Sequence, residues 1–325
     1  MSTFLVPAVF LGLDPTKPSS VVSLDVNTGV VEVIHRSRDI PVEEGYLSLP
    51  KSIEFPTTGG LTAHGYFYAP RNQDFVAPEV ERPPLLVKVH GGPTAACSPA
   101  FNLAIQYWTS RGIAVLDVNY GGSTGYGRKY RERLNCQWGV VDVDDCCNGA
   151  IYLANTTKEV DPNRLAIDGG SAGGFTTLAV LTFRDVFKAG CSNYGVSNLE
   201  ALAQDTHKFE SRYLDGLVGK YPEDRQVYLD RSPIHHVDKL SCPIILFQGD
   251  EDAIVPPNQA EIMFEAVKKK GLPVSYVLFQ GEQHGFRKSE NITANIEGEF
   301  YFFSRVFGYT PADTLAITFA VHNMI

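Results

Sequence analysis

The chain has 325 residues, of which 44% are hydrophobic and 20% are charged, as is typical of a folded globular protein. Its formal net charge is −9 and its longest basic run is the three lysines at 268–270, so we expect no nucleic-acid partner. No apolar segment reaches the length of a membrane-spanning helix, so we expect no membrane partner either.

The six cysteines lack the short paired spacing that zinc sites use, so we expect no metal ion. Two of them are adjacent and several lie in apolar segments, which favours free and partly buried thiols. Free thiols are typical of a reducing compartment, and we predict a cytoplasmic protein. The acidic segment 142–145 resembles the start of a calcium loop but lacks the later glycine and glutamate. Acidic residues at the start of a helix are the simpler interpretation.

The first 60 residues differ in pattern from the rest of the chain. Residues 21–35 alternate between apolar and polar types around Asn27-Thr28-Gly29, which predicts a β-hairpin. A hairpin alone is not stable in water, so it must pack on the main body or belong to a larger β unit. We therefore predict an N-terminal β segment over residues 1–60.

From about residue 61 short apolar strands alternate with helices, which predicts an α/β fold with a mostly parallel central sheet covered by helices. The predicted strands are 63–69, 85–89, 113–118, 164–168, 189–194, 243–248 and 274–279. The predicted helices are 101–110, 142–154, 172–183, 258–270 and 292–307. We expect this domain to cover residues 61–308, with a tail over 309–325. Sites in such sheets lie at the carboxyl ends of the strands.

The segment "AIDGGSAGGF" at 166–175 places a serine between glycines, after a predicted strand and before a predicted helix. The spacing Gly169-x-Ser171-x-Gly173 on such a turn is the nucleophile-elbow pattern. Small neighbours fit the strained backbone of the turn, which lifts the hydroxyl group above the sheet. We therefore predict that Ser171 is a nucleophile, rather than part of a glycine turn that serves packing alone.

A nucleophilic serine needs a histidine base and an acid that orients the base. His284 follows the last predicted strand, whereas His322 lies near the end of the chain without a clear partner strand, so His284 is the better base. Residues 250–252 are all acidic and follow the preceding strand. Their spacing from the strand favours Asp252 as the acid, with Asp250 as the alternative.

An oxyanion hole needs backbone N–H groups from two places. Ala172 directly follows the predicted nucleophile, and the segment "LLVKVHGGP" supplies Gly91 and Gly92 after an early strand. A second glycine-rich segment, 122–129, has the spacing of a phosphate loop but lacks its Lys-Ser/Thr ending, so we expect no bound nucleotide. The predicted chemistry requires no cofactor.

Six motifs in one order extend this interpretation: "VHGGP", "NYGGSTGYG", "QWGVVDVDD", "GGSAGG", "GDEDAIVPP" and "GEQHGF". Together they resemble the catalytic domain of the prolyl oligopeptidase family of serine peptidases. The HGGP form of the oxyanion loop is most similar to the acylaminoacyl-peptidase-like branch. The resemblance covers roughly residues 50 to 308 and implies an α/β-hydrolase fold acting on oligopeptides. It also implies that Val196 and Val255 wall the pocket for the residue before the cleaved bond.

Members of this family usually carry a large β-propeller before the hydrolase domain. Only the hairpin near the start of this chain resembles a last propeller blade, so we interpret residues 1–60 as a propeller remnant and the chain as a truncated form or fragment. A carboxylesterase with the same triad and a truncated form with impaired catalysis stay open as alternatives. So does assembly into a homo-oligomer.

Overall fold

The computed structural model describes residues 7–205 and 210–324, so the outer ends of the expected segments 1–60 and 309–325 lie outside the described residues. Two sheets are present in the described part of the chain: a three-stranded antiparallel sheet near the N-terminus and an eight-stranded sheet. Helices cover both faces of the larger sheet, as an α/β-hydrolase fold requires.

The small sheet has the strand order β1 (Ala8–Gly12), β2 (Ser20–Leu24) and β3 (Val31–Arg36). Strands β2 and β3 form the predicted hairpin, whose turn contains Gly29 at a φ of 73°. Strand β1 was not predicted, because its residues do not alternate between apolar and polar types. Val9 on β1 and Val31 on β3 are among the apolar side chains that this sheet leaves exposed.

The large sheet has the strand order β11-β10-β9-β8-β6-β7-β5-β4. Its strands are β4 (Lys51–Thr57), β5 (Leu61–Tyr68), β6 (Leu85–Val89), β7 (Ala114–Asn119), β8 (Leu165–Gly170), β9 (Ala189–Asn193), β10 (Ile244–Gly249) and β11 (Val274–Phe279). Strands β6 to β11 are mutually parallel, while β5 pairs antiparallel with both β7 and β4. The seven predicted strands are confirmed, each within two residues at either end.

Strand β4 lies inside the expected N-terminal segment 1–60 but pairs with β5, so the large sheet begins at Lys51. The sequence did not predict this strand because it contains Pro56, and proline has no N–H group to donate to a neighbouring strand. An edge strand tolerates proline, and β4 is the edge strand of the large sheet.

The helices are α1 (Leu103–Ser110), α2 (Arg128–Arg131), α3 (Val141–Ile151), α4 (Ala172–Phe183), α5 (Leu199–Asp205), α6 (Tyr213–Leu217), α7 (Arg225–Arg231), α8 (Asn258–Lys269) and α9 (Ser289–Phe307). Side chains of α3, α4 and α8 fill the core on one face of the sheet, and those of α1 and α9 fill the core on the other. Helices α2 and α5 to α7 were not predicted, because they are too short to show a helical repeat. In the described residues no helix is both long and apolar enough to cross a membrane.

The tail, for which the sequence alone offered no interpretation, returns along the free edge of β11. Helix α9 ends at Gly308 with a φ of 76°, and the chain then reaches His322, whose N–H donates to the Val274 carbonyl over 2.8 Å. The Val274 N–H donates back to the His322 carbonyl over 3.1 Å. The Phe319 ring packs edge-on against Phe247, with their centroids 6.4 Å apart. The tail therefore covers a sheet edge and part of the apolar core.

We expect Phe319→Ala to lower the free energy of unfolding by about 2 kcal/mol, because it removes a large ring from a partly buried site. Thr318→Ala is the matched control, since Thr318 is exposed and its neighbour carries the contact. Urea unfolding followed by circular dichroism measures both variants. Equal unfolding free energies for the two would contradict this account of the tail.

Candidate active site

Ser171 lies on the turn between β8 and α4, with a φ of 57° and a ψ of −120°. A positive φ is unusual for a residue with a side chain, so this turn is strained. The Ser171 N–H donates to the Asn193 carbonyl over 3.0 Å, and the Phe175 N–H donates to the Ser171 carbonyl over the same distance. These bonds hold the serine between the neighbouring strand and the new helix.

The glycines on either side of Ser171 are required by the close packing of α4 on the sheet. A Cβ atom on Gly169 would lie 2.4 Å from the Gly173 carbonyl oxygen, and one on Gly173 would lie 2.2 Å from the Val89 carbonyl oxygen. Both distances are too short for any side chain. The close approach of α4 to β6 and β8 therefore requires the glycines of the Gly-x-Ser-x-Gly pattern.

The structure brings Ser171, His284 and Asp252 together in one hydrogen-bonded chain. Ser171 Oγ lies 2.8 Å from His284 Nε2, and Asp252 Oδ2 lies 2.8 Å from His284 Nδ1. Asp252 accepts the proton on Nδ1, which leaves Nε2 free to accept the hydroxyl proton of Ser171. The Asp252 side chain is completely buried, while 24% of the His284 side chain is exposed. The serine and histidine are thus open to a substrate and the acid is not.

Backbone and side-chain donors around Asp252 fix its orientation. Its Oδ1 atom accepts from the N–H groups of Ile254 and Val255, each over 2.9 Å, and its Oδ2 atom accepts from Gln248 Nε2 over 3.2 Å. Asp250, the alternative acid, instead accepts the Gly281 N–H over 2.7 Å. It links the acid turn to the histidine turn.

The two valines expected in a substrate pocket are both buried. The side chains of Val196 and Val255 are 2% and 1% exposed, and the Val255 backbone also binds Asp252 as described above.

Glu282 organises the histidine loop, a role that sequence analysis missed. Its carboxylate accepts from the N–H groups of Arg287 and Lys288, each over 2.9 Å, and from Asn291 Nδ2 over 2.8 Å. Burial opposes ionisation, but these hydrogen bonds prevail and lower the pKa of Glu282. Glu282 therefore connects the histidine loop to the start of α9. Its position two residues before His284 was the sequence signal that could have identified this role.

The Tyr194 ring packs edge-on against the imidazole of His284, with their centroids 4.9 Å apart. Tyr194 has a φ of 40° and is thus a second strained residue at the site. It follows β9 directly, as Ser171 follows β8. Its ring limits the positions that the imidazole can take.

The expected oxyanion loop lies against the nucleophile. A Cβ atom on Gly91 would lie 3.6 Å from the Ser171 Cβ atom, and Gly92 has a φ of 120°. Ala172 begins α4, so its N–H group has no acceptor within the helix. Gly91 and Ala172 thus both lie next to Ser171.

Two aromatic side chains hold the oxyanion loop in place. His90 Nδ1 donates to the Gly91 carbonyl over 2.8 Å, so its Nε2 accepts from Ser123 Oγ, also over 2.8 Å. Burial lowers the pKa of His90 and keeps it neutral, as this bonding pattern requires. Tyr120 stacks on His90 and donates to the Pro93 carbonyl over 2.9 Å. The glycine-rich segment 122–129 therefore supports the loop through Ser123.

The described residues contain no group of three or more histidine, cysteine or acidic side chains placed to hold a metal ion. A serine on a strand-to-helix turn, an acid after β10, a histidine after β11 and a glycine loop beside the serine define an α/β-hydrolase site. The model of the prolyl oligopeptidase family matches residues 99–310. The chain belongs to this family, as its six motifs had indicated.

Known proteins agree with this membership. The chain is 32% identical over 279 residues to dipeptidyl aminopeptidase BIII of Pseudoxanthomonas mexicana, covering 82% of this chain and 40% of the relative. It is 30% identical over 212 residues to the acylamino-acid-releasing enzyme of Arabidopsis thaliana, covering 62% of this chain and 27% of the relative. A solved puromycin-hydrolysing peptidase of Mycobacterium tuberculosis superposes with a TM-score of 0.92 at 46% identity, covering 97% of this chain and 48% of that one. The chain thus spans less than half the length of these relatives.

We expect Gly173→Ala to destabilise the fold by about 2 to 3 kcal/mol, because the added methyl group meets the Val89 carbonyl and pushes α4 away from β6. Gly216→Ala is the control, since a Cβ atom there meets no atom within 4 Å. Thermal unfolding compares the two. Loss of stability in both variants to the same extent would show that the close approach of α4 is not the cause.

Proposed function

We propose that this chain is a serine peptidase that cleaves peptide bonds of oligopeptides through an acyl-enzyme. The observation that carries the proposal is the hydrogen-bonded chain from Ser171 through His284 to the buried Asp252. The family of the chain supports the peptidase class, and the names of its relatives include peptidases and acylamino-acid-releasing enzymes. The activity of those longer proteins is extended to this chain as part of the proposal.

In the first half of the reaction His284 Nε2 takes the proton of Ser171 Oγ as the oxygen attacks the carbonyl carbon of the substrate. The N–H groups of Ala172 and of Gly91 or Gly92 stabilise the negative charge on the carbonyl oxygen. The carbon–nitrogen bond then breaks, and the imidazolium gives its proton to the departing amine. The acyl group stays on Ser171.

In the second half a water molecule attacks the acyl carbon while His284 takes one of its protons. The bond from the carbon to Ser171 Oγ breaks, and the proton passes from the imidazolium to that oxygen. Asp252 holds the imidazole in the required tautomer and stabilises it when it is charged. No step requires a metal ion or a cofactor.

We place the pocket for the residue before the cleaved bond beside Val196 and Val255. Support comes from their burial on the loops that follow β9 and β10, next to the triad. We also propose a hydrolase domain over residues 61–308, to which β4 adds an edge strand from the N-terminal segment. The six free cysteines support a reducing, cytoplasmic location.

A carboxylesterase is the second candidate, because the same triad serves ester and amide cleavage. A catalytically impaired form is the third candidate. The two experiments that follow separate the three.

We expect an alkyl fluorophosphonate to label the wild-type chain covalently and to leave Ser171→Ala unlabelled. The reason is that the probe reacts only with a serine activated by a neighbouring base. Asp252→Asn should label about 10⁴-fold more slowly, because the amide group can donate to Nδ1 and hold the imidazole in the wrong tautomer. Mass spectrometry of the labelled peptide measures each rate.

Ser241→Ala serves as the control, since Ser241 is exposed and outside the triad. It should label as fast as the wild type. A folded wild-type chain that does not label would rule out both enzymatic candidates and leave the impaired form.

A substrate panel distinguishes peptidase from esterase. We expect release of p-nitroaniline or of a fluorescent amine from short peptide amides, and cleavage of puromycin follows if the chain shares that activity with its relative. Initial rates with wild type and Ser171→Ala are the measurement. Turnover of p-nitrophenyl esters without turnover of any amide would favour the carboxylesterase.

A further inference from the structure

Three titratable side chains meet beneath the candidate active site, on the face of the sheet that α9 covers. Lys88 lies on β6, Asp168 on β8 and Glu299 on α9, and we call them the support cluster. Lys88 forms an ion pair with Asp168, whose carboxyl group is in hydrogen-bonding contact with that of Glu299. Asp168 and Glu299 are both 3% exposed, so bulk water does not solvate their charges.

The ion pair joins the two strands that carry the nucleophile and the oxyanion loop. Lys88 and Asp168 are direct neighbours in the register of β6 and β8. Gly91 follows Lys88 by three residues, and Ser171 follows Asp168 by three residues. The ion pair therefore fixes the position of the oxyanion loop relative to Ser171 along the two strands.

Glu299 connects the Lys88–Asp168 ion pair to α9, the helix that follows the histidine loop. Asn295, one helical turn before Glu299, donates to Asn193 Oδ1 over 2.7 Å. Asn193 directly precedes Tyr194, which packs against His284. The support cluster thus joins the elements that position the nucleophile, the oxyanion loop and the base.

The contact between the two carboxyl groups requires a proton. In the part of the chain that the structure describes, Asp168 Oδ1 and Glu299 Oε1 are buried and have no hydrogen-bond donor. Two ionised carboxylates in contact would repel, and neither could donate. A proton on Glu299 supplies the missing donor. The positive charge of Lys88 and the negative charge of Asp168 then neutralise each other.

We propose that the support cluster is a positioning unit of the active site, in which Glu299 keeps its proton at neutral pH and donates it to Asp168. Burial raises the pKa of Glu299 well above its usual range, and the charge of Asp168 raises it further. Burial acts to lower the pKa of Lys88, but the nearby carboxyl groups prevail and raise it, so the lysine stays charged.

Other titratable groups face Glu299 from the elements packed around it. They are Cys191 on β9 and Tyr107 on α1, while Asp117 on β7 is the register neighbour of Lys88 and acts on the Lys88–Asp168 pair. Burial raises the pKa of Asp117 to about 7 and that of Tyr107 to about 12, and it raises the pKa of Cys191 well above its usual range. Because Asp117 itself titrates near neutrality, the test compares Glu299 variants that all retain Asp117.

The test uses Glu299→Gln, which keeps a donor for Asp168, and Glu299→Leu, which removes it. Glu297→Gln, on the same helix and partly exposed, is the control. At pH 7 we expect the rate of fluorophosphonate labelling to stay within about threefold of wild type for Glu299→Gln and Glu297→Gln. Glu299→Leu should label at least about tenfold more slowly, because Asp168 loses its second partner. Equal slowing by Gln and Leu at position 299 would overturn the proposal.

The proton itself is tested by stability and by infrared spectroscopy. Unfolding releases the Glu299 proton above about pH 4.3, whereas the native chain retains it, so wild-type stability falls as pH rises. From pH 5 upward the folding constant of wild type should fall relative to Glu299→Gln, by up to about tenfold per pH unit. A protonated-carboxyl C=O band at pH 7 should be present in wild type and Glu297→Gln, and reduced in Glu299→Gln.

A constant stability ratio together with an unchanged infrared band would show that Glu299 is ionised and overturn the proposal. These two readouts need no catalysis. Only the labelling arm rests on the proposed function, so a wild type that fails to label contradicts that function without deciding the protonation of Glu299.

Discussion

The approach of α4 to the carboxyl end of β6 is the constraint on which the rest of the site depends. The helix starts so close to the Val89 carbonyl that only glycine fits at position 173. A single residue, Ser171, must then turn the chain from strand to helix, and it takes a φ of 57° to do so. Such backbone strain costs about 1 to 3 kcal/mol. The burial of α4, whose residues from Ala172 to Thr182 are all buried, offsets it.

The partners of the serine come from loops, which are mobile unless something holds them. Each loop here is held by a buried or partly buried polar contact: Gln248 for the acid turn, Glu282 for the histidine turn and the His90–Ser123 bond for the oxyanion loop. The His90–Ser123 bond joins two loops, and the Asp250–Gly281 bond joins the acid turn to the histidine turn. Displacement of one loop therefore disturbs its neighbours, and the site is stabilised as a unit.

The sequence predicted the elements that depend on a local residue pattern. It did not predict the contacts between segments that are distant in the chain. The parallel strands and the serine turn follow from short apolar runs and glycine spacing, which both act within a few residues. Strand β4 was missed because Pro56 makes it look like a loop, and only its pairing with β5 makes it a strand. The roles of Asp250 and Glu282 in holding the loops were missed, because their backbone partners come close only when the loops are folded. The three residues predicted to form the triad lie next to one another in the structure, since each follows a strand of one parallel sheet.

The tail that bonds to β11 also has a consequence for the behaviour of the molecule in solution. The outermost strand of a sheet presents unpaired N–H and C=O groups that can recruit a strand from another chain. Here the bridge between Val274 and His322 occupies part of that edge. A chain cut before the tail would expose the edge and the rings beneath it. Self-association and precipitation are then the expected failure of such a shortened form, even with every residue of the triad in place.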